Sequence, residues 1–351
     1  MSKPFGLISD THHHGWSAFS TTLPNGVNSR LQIILDETIR AAKAVKAAGG
    51  DTLYHGGDLF HVRGSIAPSV LNPTLDCYAA IQAMGINVII NAGNHDLEGR
   101  EAQRVSSAIT ALEGIGCTVV NSPDYGAFEH MVIIPWMPNI AKLKVAIETV
   151  APSNRVGSDL LLHAPIDGVI PGLPEHGLTD TYLASLGFRR VFAGHYHHHK
   201  DFGNGVFSIG ALTHQTWSDL HAKAGFLIVS DDAVTWHASH APSFVDIDDT
   251  DAADDIPLIV DGNYARVRIR SSTMADVEAM RQFLLDSGAR GVVVLPEPAA
   301  LATSRSASSG MVPGASLDAS IHQFIDAGAF ADAPALKILC ADILRSVRRV
   351  A

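Results

Sequence analysis

The sequence has little cysteine and no long apolar run. Its three cysteines, Cys77, Cys117 and Cys340, lie far apart along the chain. This number and spacing provide neither a disulfide framework nor the close cysteine pairs of a zinc site. A membrane-spanning helix needs roughly 20 consecutive apolar residues, and no segment approaches that length. The apolar residues after Met1 are too few for a secretory signal peptide, so we expect a cytoplasmic protein without a membrane partner.

Positive charge is also scarce. The chain has 25 lysines and arginines against 36 acidic residues, and its net charge is −11 with histidine neutral. This balance argues against a simple basic nucleic-acid-binding module, whose affinity depends on cations that neutralise phosphates. A nuclease is not excluded, because bound divalent cations can dominate the charge of a site and attract a phosphate. Histidine, in contrast, is abundant at 18 residues, many of them in short clusters.

Strand and helix patterns alternate along the first half of the chain. Apolar segments predict strands at residues 5–9, 52–55 and 87–91. Helical spacing predicts two intervening helices, one capped by Ser29 and one beginning near Pro73. Between residues 201 and 238 the pattern changes to strands joined by short turns. Together these patterns predict an α/β fold, with two sheets flanked by helices in a four-layer α/β/β/α sandwich.

Composition predicts several segments along the chain. Residues 1–245 form the main domain, and the aspartate-rich stretch after it is a solvated linker. Residues 257–298 form a small β-α-β unit, and residues 299–316, rich in Ala, Ser, Gly and Pro, form a second linker. Residues 317–351 form two helices, the last with one apolar stripe. That stripe packs either onto its own domain or onto a partner.

Metal-ligand side chains follow the ends of several predicted strands. Asp10 and His12 are two residues apart, as are His195 and His197, so each pair can face one ion from an extended chain. Asp58 follows two glycines, which let the backbone pack closely. The predicted ligands are Asp10, His12, Asp58, Asn94, His163, His195 and His197.

The mixture of ligands indicates the chemistry. Phosphodiester hydrolysis needs a nucleophile and stabilisation of the phosphoryl oxygens, and two cations roughly 3.5–4 Å apart can supply both. A bridging carboxylate, here Asp58, would hold the cations at that spacing. Ligation by Asp, Asn and His suits Mn²⁺ or iron better than Mg²⁺, which favours oxygen ligands, so we expect two divalent ions, Mn²⁺ first.

Five blocks of sequence resemble the calcineurin-like metallophosphoesterase superfamily in their order, over roughly residues 5–240. The blocks are Asp10-Thr11-His12, Gly57-Asp58-Leu59-Phe60-His61, Gly93-Asn94-His95-Asp96, His163 and Gly194-His195-Tyr196-His197. The resemblance implies that superfamily's sandwich fold. It also implies that one metal is bound by Asp10, His12 and His197, the other by Asn94, His163 and His195, and both by Asp58.

The same resemblance implies a proton donor. By family analogy, His95 protonates the leaving oxygen as a general acid and is oriented by Asp96. The second block resembles the SbcD-type DNA repair nucleases, in which the trailing histidine, here His61, also serves catalysis. This similarity implies a metal-dependent DNA nuclease, an exonuclease with endonuclease capability. The β-α-β unit then corresponds to a capping domain, and the terminal helices lie where such proteins dock an SbcC-like coiled-coil ATPase.

Two other functions stay open at this stage. One is a small-molecule or nucleotide phosphodiesterase or phosphatase on the same fold. The other is a non-catalytic subunit that binds DNA ends, although a protein without catalysis needs no proton donor such as His95. Self-association into a homodimer is also open. We expect the additional histidines of the clusters to be solvated loop residues, namely His13, His14, His198 and His199.

Overall fold

The structure is a computed structural model, and it describes residues 3–100, 104–128, 130–248, 251–252, 254–270, 273–296, 317–328, 330 and 332–348. The predicted linker at 299–316 lies outside the described residues. The chain divides into two compact units, Met1–Val267 with Arg281–Val293, and Arg268–Met280 with Val294–Ala351. The domain bounds expected from composition stay a prediction. Among the described residues, every helix is too short or too polar to cross a membrane.

Strands and helices alternate as expected for an α/β chain. Within the described residues the strands are β1 (Phe5–Ile8), β2 (Thr52–His55), β3 (Asn87–Asn91), β4 (Thr118–Val120), β5 (Asp124–Phe128), β6 (Met131–Ile134), β7 (Asp159–His163), β8 (Arg190–Gly194), β9 (Lys200–Asp201), β10 (Val206–Ser208), β11 (Gly225–Val229), β12 (Val234–Ala238), β13 (Phe244–Asp248), β14 (Tyr264–Ile269) and β15 (Gly291–Pro296). The helices are α1 (Ser29–Ala47), α2 (Pro68–Ala83), α3 (Ile140–Thr149), α4 (Pro152–Arg155), α5 (Asp180–Ser185), α6 (Ile256–Val260), α7 (Met274–Asp286), α8 (Leu317–Ala327) and α9 (Ala333–Arg348).

The strands form two six-stranded sheets and one small sheet. The first sheet has the order β12-β11-β1-β2-β3-β4, the second β5-β6-β7-β8-β10-β9 and the third β13-β14-β15. In the first sheet β1 to β4 run parallel, while β11 and β12 are antiparallel additions. In the second sheet β6, β7, β8 and β10 run parallel. This mixture confirms the predicted combination of helix-linked and turn-linked strands.

Side-chain alternation divides the apolar core into three parts, because successive residues of a strand face opposite sides of its sheet. Leu7 faces the layer between the two large sheets, whereas its neighbour Ile8 faces helices α1 and α2. In the second sheet Leu161 faces the inner layer and Leu162 faces helices α3 and α5. Helices therefore cover the outer face of each large sheet, which confirms the four-layer α/β/β/α arrangement.

Two helix starts differ from the sequence prediction. Helix α1 is capped by Asn28, whose side chain accepts hydrogen bonds from the backbone N–H groups of Arg30 and Leu31. The predicted cap, Ser29, is wrong by one residue. Helix α2 starts at Pro68, so Pro73 lies inside the helix rather than at its beginning. The fixed φ angle of proline suits the first helical turn, and Pro68 satisfies that preference already.

Towards the chain end, β14, α7 and β15 follow one another in the predicted β-α-β order. Helices α8 and α9 fall within a residue of the predicted terminal helices. The two helices pack on each other, and Phe330, which lies between them in the chain, contacts Phe324 of α8 with ring centroids 5.9 Å apart.

Asp159 links two central strands through a buried ion-pair cluster. It is fully buried at the start of β7 and accepts four hydrogen bonds, two from Arg189 and two from Arg190, at 2.7–3.0 Å. Removing one partner of a buried ion pair is costly because the other charge stays buried. The cluster therefore fixes the junction between β7 and β8.

We expect Asp159→Asn to lower the free energy of unfolding by roughly 3–5 kcal/mol, because the buried Arg190 loses this counter-charge, while Arg189 retains its pair with Asp231. Urea unfolding of the variant measures this change. Asp51→Asn is the matched control, because Asp51 pairs with Lys3 at the exposed surface. An exposed pair contributes at most about 1 kcal/mol. Equal effects of the two substitutions would contradict this account.

Candidate active site

The seven predicted ligands converge at one edge of the two large sheets. They lie in or directly after β1, β2, β3, β7 and β8, which all end at this edge. Oδ2 of Asp58 lies 3.4 Å from Nε2 of His163 and 3.9 Å from Nε2 of His12. Three groups have ligand atoms within 4.8 Å of one another, and they are formed by Asp10, His12 and His197, by Asp58, His163 and His195, and by His12, His61 and His95.

Four of these seven residues have a left-handed backbone. The φ angles are 50° for Asp10, 45° for His12, 55° for Asp58 and 109° for His195. Residues other than glycine rarely adopt such φ angles, and each residue that does so costs on the order of 1–3 kcal/mol of folding free energy. Surrounding structure must impose this strain, and it does so here at the residues whose side chains converge.

Two glycines allow the loops to approach closely. A Cβ atom on Gly93 would lie 2.2 Å from Oδ1 of Asp58, and one on Gly57 would lie 2.3 Å from Nδ1 of His163. Gly57 also has a φ angle of 110°, which favours glycine. The backbone N–H of His95 donates a 2.7 Å hydrogen bond to Oδ1 of Asp58. Small residues are thus required for Asp58 to sit between the β2 and β3 loops.

Hydrogen bonds fix the orientation of two imidazoles. Nδ1 of His163 donates to the carbonyl oxygen of Gly56 at 2.8 Å, and Nδ1 of His197 donates to Asp219 at 2.6 Å. In the neutral ring, each Nε2 then carries a lone pair directed away from that partner. Outer partners that fix imidazoles in this way are typical of metal-ligating histidines.

Side-chain atoms that can bind a metal lie close to one another inside the site. Nε2 of His12 lies 3.1 Å from Nε2 of His197. Oδ1 of Asn94 lies 3.1 Å from Nε2 of His163 and 3.0 Å from Nδ1 of His195. Carboxylate, amide and imidazole donors in this arrangement fit divalent cations such as Mn²⁺. The residues present therefore match a metal centre.

Burial and neighbouring charges shift the pKa values of several side chains in the site. Burial raises the pKa of Asp10. Burial alone would also raise the pKa of Asp58, but the charge and hydrogen bond of His163, together with the charges of neighbouring histidines, outweigh burial and hold that pKa well below its usual range. For His163, burial is outweighed by Asp58 and Asp10, which raise its pKa to about 9. The site therefore stabilises added positive charge, a property that also favours a bound cation.

The other imidazoles separate into two kinds. Burial lowers the pKa of His195 to about 3 and holds that of His12 well below its usual value. For His197, the hydrogen bond to Asp219 and its charge outweigh burial and raise the pKa. His12 and His195 are thus neutral bases over the physiological range, which is the form that binds metals.

His95 and His61 lie beside this cluster, whereas Asp96 makes hydrogen bonds that differ from those expected. His95 Nδ1 donates a 2.6 Å hydrogen bond to the carbonyl oxygen of His61, and the two rings stack with centroids 5.5 Å apart. Asp96 is fully buried and accepts backbone N–H groups of Phe60 and Gly93. The expected orienting contact from Asp96 to His95 is therefore corrected: His61 holds the ring, while Asp96 holds the loops.

Two residues of the site were missed by sequence reasoning. Asp219 orients His197, and its only sequence signal is the Thr216–Asp219 spacing of a capping box. Trp136 stacks on His195 with centroids 5.0 Å apart, and no motif marks it. One expectation is also wrong. His13 is buried rather than solvated, and its Nδ1 contacts Thr74 Oγ1 at 3.0 Å.

The close approach of Gly93 to Asp58 gives a direct test of the site. We expect Gly93→Ala to lower Mn²⁺ affinity by roughly 10- to 100-fold, the usual loss when a group that supports a metal ligand is disturbed. Calorimetric titration with Mn²⁺ measures this, with circular dichroism to verify folding. Gly99→Ala is the control, since a Cβ there meets open space. Wild-type affinity in Gly93→Ala would contradict the assignment of Asp58.

Known proteins resemble this chain over its larger part. Residues 3–199 match the family described as calcineurin-like phosphoesterase. The chain is 26% identical over 221 residues to exonuclease subunit 1 of Enterobacteria phage T4, an alignment that covers 58% of this chain and 63% of that protein. The chain thus spans less than two thirds of the length of this curated relative.

Three solved structures show distant similarity. A dimetal phosphatase from Danio rerio has 13% identity and a TM-score of 0.38, over 64% of this chain and 91% of its own. The Pseudomonas putida nuclease MPE has 18% identity and a TM-score of 0.28, over 54% and 60%. The phosphopantetheinyl hydrolase of Mycobacterium tuberculosis has 11% identity and a TM-score of 0.37, over 59% and 89%.

The family match and the converging side chains concern the same part of the molecule. The match at residues 3–199 contains all seven predicted ligands and extends over more than half of the 351-residue chain. The chain belongs to the calcineurin-like phosphoesterase family.

Proposed function

We propose that this phosphoesterase is a two-metal DNA nuclease. The observation that carries the proposal is the convergence of two carboxylates, one amide and four imidazoles in a largely buried cluster at the strand ends. Asp10, His12 and His197 would hold one ion, and Asn94, His163 and His195 the other, with Asp58 between them. Mn²⁺ suits this mixture of oxygen and nitrogen donors.

Bound cations would supply Lewis acidity that activates water and offsets charge on the phosphoryl oxygens. The protein's own contribution is proton transfer and orientation. Because Nδ1 of His95 donates to the His61 carbonyl, Nε2 is the atom that can hold a proton for the leaving oxygen. His61 positions His95 through this carbonyl and through ring stacking.

Support for DNA as the substrate comes from the sequence of the second block and from one relative. The Gly57–His61 block resembles that of SbcD-type nucleases, and the phage T4 relative is named an exonuclease subunit. We therefore propose an exonuclease with endonuclease capability, acting in DNA processing or repair. Because the net charge of the chain is −11, we propose that the attraction for phosphate comes from the metal site rather than from a basic surface.

We also propose that the terminal helices bind a partner. Helices α8 and α9 leave Phe324, Ile338 and Leu339 exposed by 57–65%. Large apolar side chains on exposed helix faces are available for contact with a partner. A coiled-coil ATPase of the SbcC type is the first candidate, and a second copy of this chain is the alternative.

A nucleotide or another small phosphodiester is the second candidate substrate. The acidic charge of the chain favours it, because a small substrate needs no extended basic surface. Both candidates use the same residues, so substrate comparison separates them. A non-catalytic role is disfavoured by the fixed geometry of His95, whose ring is held beside the cluster.

We expect the full chain with Mn²⁺ to cleave linear duplex DNA, and His95→Asn to lower kcat on DNA by roughly 10²- to 10⁴-fold, the usual contribution of a general acid. Hydrolysis of bis(p-nitrophenyl) phosphate should fall much less, because nitrophenolate leaves without a proton. His240→Asn, at an exposed position, is the matched control.

The outcomes separate the candidates. Cleavage of a nucleotide diester without cleavage of duplex or single-stranded DNA would favour the second candidate. Equal losses on DNA and on the nitrophenyl diester in His95→Asn would contradict the proton-donor role. No hydrolysis of any diester with Mn²⁺ would contradict the proposed function itself.

A further inference from the structure

A pocket of about 280 Å³ lies beside the candidate site, next to Trp136 and Asn121. Its walls come from the residues that directly follow β4 and β6, together with Lys142 of α3. In the first sheet β4 is the neighbour of β3, whose end leads to Asn94, and in the second sheet β6 is the neighbour of β7, which ends at His163. Neighbouring strands lie roughly 5 Å apart, so the pocket is one strand spacing from the predicted ligands.

Trp136 belongs to both the pocket and the site. It stacks on His195 with an interplanar angle of 25°, and its ring centroid lies 6.0 Å from that of His163. Its backbone N–H donates to the carbonyl oxygen of Ala92 at 2.9 Å, which ties the residue to the end of β3. The indole is therefore a fixed, half-buried aromatic wall that reaches from the ligands to the pocket.

Asn121 supplies a polar group at the same pocket. The residue is only 9% exposed, and its buried Oδ1 has no hydrogen-bond partner among the described residues. A buried acceptor left unpaired is energetically unfavourable, so this position favours a ligand that donates to it. An amide also presents a donor beside its acceptor, the pair that binds the edge of a nucleobase.

We infer that this pocket holds a nucleobase of the substrate, packed against Trp136 and hydrogen-bonded to Asn121. The inference rests on the proposed function and adds a subsite to it. The base belongs either to the nucleotide next to the cleaved phosphate in a strand or to a free nucleotide. Aromatic stacking accepts every base, so the pocket gives affinity and position rather than strong sequence preference.

The test is a binding measurement on the full chain, with His95→Asn to prevent turnover and Mn²⁺ present. Deoxyadenosine monophosphate and a short single-stranded oligonucleotide are titrated calorimetrically, with inorganic phosphate as the probe without a base. We expect the nucleotide to bind about tenfold more tightly than phosphate, as stacking of one base provides. Asn121→Ala and Trp136→Leu should bring this affinity ratio close to one.

Two variants serve as controls. Trp136→Phe keeps an aromatic wall and should retain most of the ratio, whereas Asn154→Ala, at an exposed position, should retain all of it. Mn²⁺ affinity is measured in each variant, because Trp136 contacts His195. Trp136 stacks directly on a predicted ligand, so Asn121, which follows β4, is the cleaner position.

The outcomes distinguish the pocket from the proposed function. If Asn121→Ala and Trp136→Leu lower the affinity relative to phosphate for both the nucleotide and the oligonucleotide, the result supports a pocket that binds the bases of free nucleotides and of strands. If the two variants lower this affinity ratio for the oligonucleotide alone, the pocket is assigned to strands. An unchanged ratio in Asn121→Ala and Trp136→Leu overturns the inference, even if wild-type enzyme hydrolyses the nitrophenyl diester. A reduced ratio without hydrolysis of any diester supports the pocket and contradicts the nuclease proposal.

Discussion

Asp58 joins the parts of the site, and its position depends on close contact between three loops. Oδ1 accepts the backbone N–H of His95 from the β3 loop, while Oδ2 lies 3.4 Å from His163 at the end of β7. Gly57 and Gly93 leave the space for this contact, and Asp58 itself has a left-handed backbone. The fold strains the backbone of Asp58, and this conformation allows the two sheets to bring their ligand atoms close together.

The parallel strands explain why so much of this arrangement could be predicted. Asp10, Asp58 and Asn94 each follow a short apolar strand within a few residues, so local pattern and spacing locate them. The strand order then places these three residues close together, because the parallel strands they follow end at the same edge of the sheet. The alternation of Leu7 with Ile8 and of Leu161 with Leu162 likewise yields the four layers.

The features of the site and fold that the sequence did not predict depend on contacts between segments that lie far apart in the chain. Asp219 contacts His197, which lies 22 residues away in the sequence, and Trp136, which follows β6, stacks on His195, which follows β8. The burial of His13 depends on packing against α2, not on its place in a histidine cluster. Asn28 rather than Ser29 caps α1 because the turn before the helix, which no periodicity reveals, directs its side chain.

The metal centre is the central claim, and anomalous diffraction from crystals grown with Mn²⁺ tests it most directly. The account predicts two Mn²⁺ peaks roughly 3.5–4 Å apart, one beside Asp10 and His12, the other beside Asn94 and His163, with Asp58 between them. A single peak, or two peaks away from Asp58, would contradict it.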